Sequence, residues 1–596
     1  MRRLANLFFI FFSLLGSDAT SQSFVPVPPD FGTSVRNQTV RRPTYWPIES
    51  VLEASRVAAA SEVAIEALER MKARNASGER PVQIGFIRYL RSPIEYERTS
   101  HAIALTTPTE NCVLVKDVAD RHVIALRVVV EGSLGARLLV EGEFPDGTEM
   151  WVWGASKDPV SFRPELENPT WSPTVWGGEM FLQISTPRVT SQKTRIRITQ
   201  LADIQYGFAT ENVAAAATEC FQDASCYSSN TLDVIDVYRR AVAALITVDQ
   251  LAGTVGYCTG ALVTDRAHTK TPFLLTANHC VSNAAQASAT EAFFDVRTTS
   301  CGGQVSGNYP RASGATLLTT SAQTDFTLLR LNVLPAGAAL MGWDPRSSSV
   351  PVNTDLYRIS HPYSESTKSI LPQTYSRSRV ASVPSCPDWP KPQYLYSEHV
   401  TGSVDHGSSG GPVILQGGYV VGQLAGACGS NLTNPCDQTN STVDGSFAAS
   451  WPLIATYLDP PTTCDACVPT STTACLLGNR FKVTVPVWRD LGAKLTGEGL
   501  VIRYAENSEE VHPEYGPLSG GVYFSMYSFS PKSVEVLARL IKGQNINNKF
   551  WIFATGFTGA EYTLRVQDTR TCKIWERTVA AGATNVVKDF EAFPFP

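Results

Sequence analysis

Apolar and polar residues alternate over short runs along most of this chain, the pattern of half-buried strands. Val82–Phe86, Ala125–Val130, Ala136–Val140, Thr148–Trp153, Glu179–Ile184 and Arg195–Ile198 each carry it. Gly132, Gly142, Asp146-Gly147 and Gly177-Gly178 punctuate them. Together they predict a small antiparallel sandwich that ends near Ile204. Before it, Ile48–Arg74 is rich in Ala and Glu. Val51, Ala54, Val57, Ala58, Val63, Ile65 and Leu68 stand there at loose helical spacing, and Asn75-Ala76-Ser77-Gly78 ends the predicted helix. Further on, Gly256–Val263, Pro272–Leu275 and Thr324–Leu331 read as strands. After the linker-like Pro460-Pro461-Thr462-Thr463, the runs Phe481–Val485, Val522–Phe524, Phe550–Phe553 and Tyr562–Val566 predict a last compact β-sandwich. The expected fold class is all-β.

One stretch breaks the alternation. The apolar run Leu4–Leu15 follows Arg2 and Arg3 and leads into Gly16, Ser17, Asp18 and Ala19. A basic start, a short apolar core and a small-residue exit make a secretory signal peptide, cleaved after Ala19 or Ser21. The run is shorter than a bilayer span, so no membrane span is expected once it is removed. Composition adds two constraints. At 596 residues, 43% hydrophobic and 18% charged, the chain can build several globular cores. Its net charge of -5 excludes a generally basic nucleic-acid binder. Export permits disulfides, so the 13 cysteines read mainly as bridges. Cys112 stands alone before Cys220, which hints that the part of the chain before Cys220 is discarded as a pro-region. Cys464-Asp465-Ala466-Cys467 has half the form of a zinc site, but no histidine is near it and it reads as a disulfide pair.

Candidate chemistry lies between Cys220 and Pro460. Gly407-Ser408-Ser409-Gly410-Gly411-Pro412 is a tight glycine turn that presents the Ser409 hydroxyl and aims successive backbone N–H groups into one concave spot. Taken alone it could be a surface loop. A base and an orienting acid elsewhere change that. Thr276-Ala277-Asn278-His279-Cys280 follows an apolar strand and places an imidazole at a strand end. Thr324-Asp325-Phe326-Thr327-Leu328-Leu329 starts a strand with an acid that can accept a bond from an imidazole N–H.

These motifs are identified as those of the trypsin-like (chymotrypsin-fold) serine proteases, and in particular they resemble the bacterial lysyl endopeptidases. Cys258-Thr259-Gly260-Ala261-Leu262-Val263, Gly342-Trp343-Asp344, Ile359-Ser360-His361-Pro362 and Val421-Gly422-Gln423-Leu424 extend the likeness. The order His279, Asp325, Ser409 is that of the chymotrypsin-type triad. The resemblance implies a chymotrypsin-like double β-barrel and synthesis as an inactive precursor. It implies Ser409 as nucleophile, His279 as base, Asp325 as its orienter, and the N–H groups of Gly407 and Ser409 as oxyanion hole. It also implies the bridges Cys258–Cys280 and Cys226–Cys301. Cys220 pairs with Cys428 or Cys436, and the other is left for Cys386. Neither metal nor organic cofactor is required.

The resemblance weakens at the specificity pocket. Lysyl endopeptidases hold a lysine with an aspartate on the strand segment after the nucleophile. Thr442 falls at that place here, with Asp444 two residues on and Asp405 four residues before Ser409. Cleavage after Lys or Arg is therefore an expectation resting on Asp405 and Asp444. The expected organisation is a signal peptide (1–21), a pro-region of helix then β-domain (22–210) and a protease domain (211–460). A Cys-containing linker (461–478) and a C-terminal β-sandwich (479–596) follow. The expectation is a secreted, monomeric serine endopeptidase acting on proteins or peptides, with activation cleavage between Ile204 and Cys220. The competing reading is a catalytically silent adhesion protein on a protease fold.

Overall fold

The computed structural model describes residues 26–30 and 57–58, and from 62 to 594 all but a set of stretches. The longest of these are 107–112, 164–168, 210–219, 461–472, 504–519 and 527–535. The signal peptide, residues 48–56 and 59–61 of the expected helix, Cys112, residues 210–219 of the expected cleavage region and Cys464–Cys467 lie outside the described residues.

The N-terminal block holds α1 (Glu62–Ala76), which covers the later part of the expected helix and runs two residues past Arg74, whereas Val57 and Ala58, expected in the helix, pair as a short parallel strand with Val128 and Val129. A long strand β1 (Val82–Arg98) follows, then β2 (Arg121–Val129), β3 (Gly135–Glu143), β4 (Glu149–Trp153), β5 (Glu179–Pro187) and β6 (Thr194–Ile204). Strands β1, β6 and β3 pair antiparallel in one layer, and β2, β5 and β4 in another. Their inward residues, among them Leu126, Val140, Val152, Leu182 and Ile198, form one buried cluster, the expected sandwich.

The next strands close a barrel. They are β7 (Val242–Asp249), β8 (Thr254–Val263), β9 (Phe273–Thr276), β10 (Glu291–Phe294), β11 (Ala315–Ser321) and β12 (Phe326–Leu331). Pairing runs β10-β7-β8-β9-β12-β11. Closure comes from Arg311–Ser313, which pairs with β10 and continues through Gly314 into β11. Gly314 takes φ 77°, which lets the strand turn this corner. A second ring of six follows: β13 (Asp355–Ser360), β14 (Thr374–Val380), β15 (Tyr394–Thr401), β16 (Pro412–Ile414), β17 (Tyr419–Cys428) and β18 (Ser441–Ser446). Here β13 pairs with β14, β14 with β15, β15 with β18, β18 with β17, β17 with β16 and β16 with β13. The fold is thus all-β with the double barrel that the motifs imply. Helix α2 (Ile235–Ala241) leads into the first barrel and α3 (Phe447–Leu458) follows the second.

The N-terminal block and the first barrel are one body. β1 pairs with β8, Thr254 opposite Phe86 and Tyr257 opposite Val82. One buried cluster joins Met71, Ile84, Phe86 and Ile204 to Ile246, Val255, Tyr257 and Phe293.

From residue 473 on, two five-stranded sheets face one core. Phe481, Val483, Leu564 and Val566 come from one sheet and Phe524, Leu540, Ile552 and Phe593 from the other, the expected C-terminal sandwich.

Candidate active site

His279 stands three residues beyond β9, and Asp325 immediately before β12, its partner strand. The side chains meet because those strand ends are neighbours. Asp325 Oδ2 lies 2.8 Å from His279 Nδ1, and Oδ1 accepts the His279 backbone N–H at 3.0 Å. The Asp325 carbonyl accepts the Asn278 N–H at 3.1 Å. Asp325 takes φ 50°, left-handed backbone that a non-glycine residue occupies at a cost. With Nδ1 donating to the carboxylate, Nε2 is the basic nitrogen. It is buried and, among the described residues, has no hydrogen-bond partner, the Ser409 hydroxyl included.

Ser409 lies between β15 and β16 on a turn with Gly407 at φ 88° and Gly410 at φ 79°. A Cβ on Gly410 would fall 2.2 Å from Thr276 Oγ1, and one on Gly407 2.8 Å from the Tyr257 ring. Glycine is therefore required at both positions by backbone angle and by contact. Among the described residues, the N–H groups of Gly407 and Ser409 have no protein acceptor, whereas the Ser408 and Gly410 N–H groups donate to Asp405 and Leu424 carbonyls. Ser409 is 8% exposed.

Two residues to which the sequence reading gave no role fix this arrangement. Thr259 N–H donates to the Ser409 carbonyl at 2.8 Å, and its Oγ1 donates to the Gly407 carbonyl at 2.9 Å. The same Oγ1 accepts the His361 N–H at 3.1 Å. Gln423 Nε2 reaches the Thr324 and Asp325 carbonyls at 2.9 and 3.2 Å. Both residues lie inside motifs already quoted, but their partners are far away in sequence and leave no local mark.

The expected pocket residues are not brought together. Asp444 is fully buried inside the second barrel and ion-paired with Arg358, which also donates to Ser378 and Ser397. Thr442, on the same face of β18, lies 3.4 Å from His399 Nε2. Asp405 accepts the His406 N–H at 2.7 Å and pairs with His406 Nδ1 at 2.8 Å, a bond that raises the pKa of His406. Burial lowers His361 and His399 to about 4, so both are neutral.

Bridges between described residues include Cys258–Cys280, Cys226–Cys301, Cys220–Cys436 and Cys386–Cys428, and Cys572 is disulfide-bonded as well. Of the two partners left open for Cys220 it is Cys436, and Cys428, the last residue of β17, takes Cys386. Cys258, His279 and Cys280 cluster tightly enough to suggest a metal, but a bridge uses both sulfurs.

Residues 214–442 match the family described as lysyl endopeptidase, C-terminal domain. A lysyl endopeptidase of Pseudomonas aeruginosa is 25% identical over 373 residues, spanning 57% of this chain and 76% of that protein. Secreted RxLR effector protein 73 of Plasmopara viticola is 31% identical over 147 residues, which are 24% of this chain and about a third (34%) of that protein. Among solved structures, the scabies mite inactivated protease paralogue S-I1 is 16% identical, covers 37% of this chain and 96% of its own, and has a TM-score of 0.28. A protease of M. tuberculosis in its active form is 17% identical, covers 40% and 90%, and has a TM-score of 0.26. The two barrels stand on their own strand pairing. The family match and the Pseudomonas relative make the middle of this chain lysyl endopeptidase-like.

Proposed function

We propose that this protein is a secreted serine endopeptidase made as a proenzyme. The observation that carries the reading is the double grip of Asp325 on His279, which fixes the ring tautomer and leaves Nε2 basic. In the reaction Nε2 takes the Ser409 proton as Oγ attacks the scissile carbonyl, then gives it to the leaving amine. Asp325 stabilises the imidazolium. The N–H groups of Gly407 and Ser409 receive the developing oxyanion. Water then hydrolyses the acyl-enzyme by the same proton path, and no step calls on a metal.

Cleavage after Lys or Arg is the finer reading. With Asp444 committed to Arg358, Asp405 is the acid that would hold the cationic head group, since its side chain keeps 27% exposure at the turn before Ser409. Digestion of a peptide library checks this, and cuts mainly after apolar or acidic residues would exclude it. The signal-like N-terminus and the bridges of the protease region support export. Casein hydrolysis tests the reaction itself: wild type cleaves after maturation and Ser409→Ala loses about 10⁴-fold or more. Equal inertness of both chains would favour the adhesion reading.

A further inference from the structure

A turn of the N-terminal block lies on the candidate cleft. Helix α1 ends with the Ser77, Gly78 and Glu79 N–H groups donating to the Ala73, Asn75 and Arg74 carbonyls. The Asn75 side chain holds the backbone of Gln83 from both sides, donating to its carbonyl and accepting its N–H, each at 2.8 Å. Residues 76 to 82 are thereby cinched into a closed loop. Beyond it Val82 and Gln83 join β8, which anchors the loop beside Tyr257 and Gly256.

The loop touches both sides of the site. A Cβ built on Gly78 would stand 4.0 Å from His406 Nε2, next to Gly407. At the other side Arg80 Nη1 donates to the Ala425 carbonyl, and its guanidinium lies 5.3 Å from the Trp389 ring centre. The place of Ala425 is informative. Gly410 N–H donates to Leu424 O and Leu424 N–H to Gly411 O, so β17 runs alongside the nucleophile turn. Ala425 is the next residue. The β17–β18 register shifts between Leu424 and Gly426, which leaves Ala425 outside the ladder. Its carbonyl is an acceptor beside Ser409 that an extended peptide could use when it adds to the strand. In this chain Arg80 has it. Gly426 keeps the place open, because a Cβ there would meet Arg80 Nη1 and Trp389 at 3.0 Å.

We propose that the Ala425 carbonyl and the Trp389 indole form a cation-binding subsite of the cleft, and that Arg80 is its resident ligand, so the chain carries its own competitor for the site. The chemistry is a guanidinium that donates to a carbonyl and covers an indole face, two interactions that each strengthen with charge. This rests on the serine endopeptidase reading for its meaning in catalysis, but the binding itself can be measured apart from catalysis.

The test uses the full-length chain as wild type, Arg80→Ala, Arg80→Lys and Arg80→Ala/Trp389→Ala. Ser409 is labelled with a small sulfonyl fluoride and with an apolar peptidyl phosphonate long enough to lie along β17. The expected result is phosphonate labelling about tenfold faster in Arg80→Ala than in wild type, with Arg80→Lys between them and sulfonyl fluoride rates equal. Ethylguanidinium should slow the Arg80→Ala phosphonate reaction and raise that variant's melting temperature, but should do neither in the double variant. Equal phosphonate rates in wild type and Arg80→Ala, or no ethylguanidinium effect on Arg80→Ala, overturns the subsite. If the sulfonyl fluoride labels no variant, the nucleophile reading fails, and the ethylguanidinium melting shift alone then decides the subsite.

Discussion

At the scale of single residues, substitution separates the roles of Asp325, Thr259 and His361. Asp325→Asn keeps the shape but presents an amide N–H where Nδ1 needs an acceptor. The turnover number should fall about 10⁴-fold while the melting temperature changes little; an unchanged rate would remove Asp325 from the proton path. Thr259→Val removes the Oγ1 donor to the Gly407 carbonyl and the acceptor for the His361 N–H. Leaving these buried groups unpaired should cost about 1–3 kcal/mol of stability and lower kcat with little change in KM. His361 gives a pH signature. Its Nδ1 faces the Leu371 carbonyl at 3.4 Å and its Nε2 is buried without a partner among the described residues. Its folded pKa of about 4 lies below the ordinary 6.5, so the unfolded chain takes the proton first. The neutral ring's contribution is whole above pH 6.5 and is lost as pH falls towards 4, by about 3 kcal/mol at most. His361→Gln should flatten that acid limb in urea titrations run from pH 7 to 4. The contact of Asp325 with His279 could be read from sequence because each sits in a short, distinctive motif. The roles of Thr259 and Gln423 could not, since both act through hydrogen bonds to distant backbone.

At the scale of elements, the alternation marks most strands, while their closure into two barrels comes from the resemblance of the motifs and not from the alternation. Val82–Phe86 reads as a strand from its alternation, yet β1 runs on to Arg98, because pairing with β6 carries it past residues with weak strand preference. Helix α3 was not read, for an apolar segment with Pro452 inside it resembles no amphipathic helix. Helix α2 is seven residues long, too short for its period to show. Cys258–Cys280 ties β8 to the residue after His279 across a separation of 22. Replacing both with Ala should cost about 3 kcal/mol, seen as a lower denaturant midpoint, and should lower activity by loosening the His279 loop. Retention of full activity and midpoint would show that β9 and β12 hold the histidine unaided.

At the scale of the molecule, the sequence reads as separate blocks, whereas β1 continues the sheet of the first barrel and both share one core. Pairing between an edge strand of one block and a strand of another has no signature in either sequence. Ile84, fully buried in that shared core, is the position to probe. Ile84→Ala should cost about 2–5 kcal/mol and shift the N-terminal block and the barrels as one unfolding transition; two separating transitions would show that the blocks fold independently. The central claim remains that Ser409 is a nucleophile activated by His279. Its most direct test is intact mass spectrometry and peptide mapping after treatment with a sulfonyl fluoride. The account predicts one covalent adduct on Ser409 in wild type, and none in Ser409→Ala or His279→Ala. An unmodified wild-type chain, or an adduct that forms equally without His279, would contradict it.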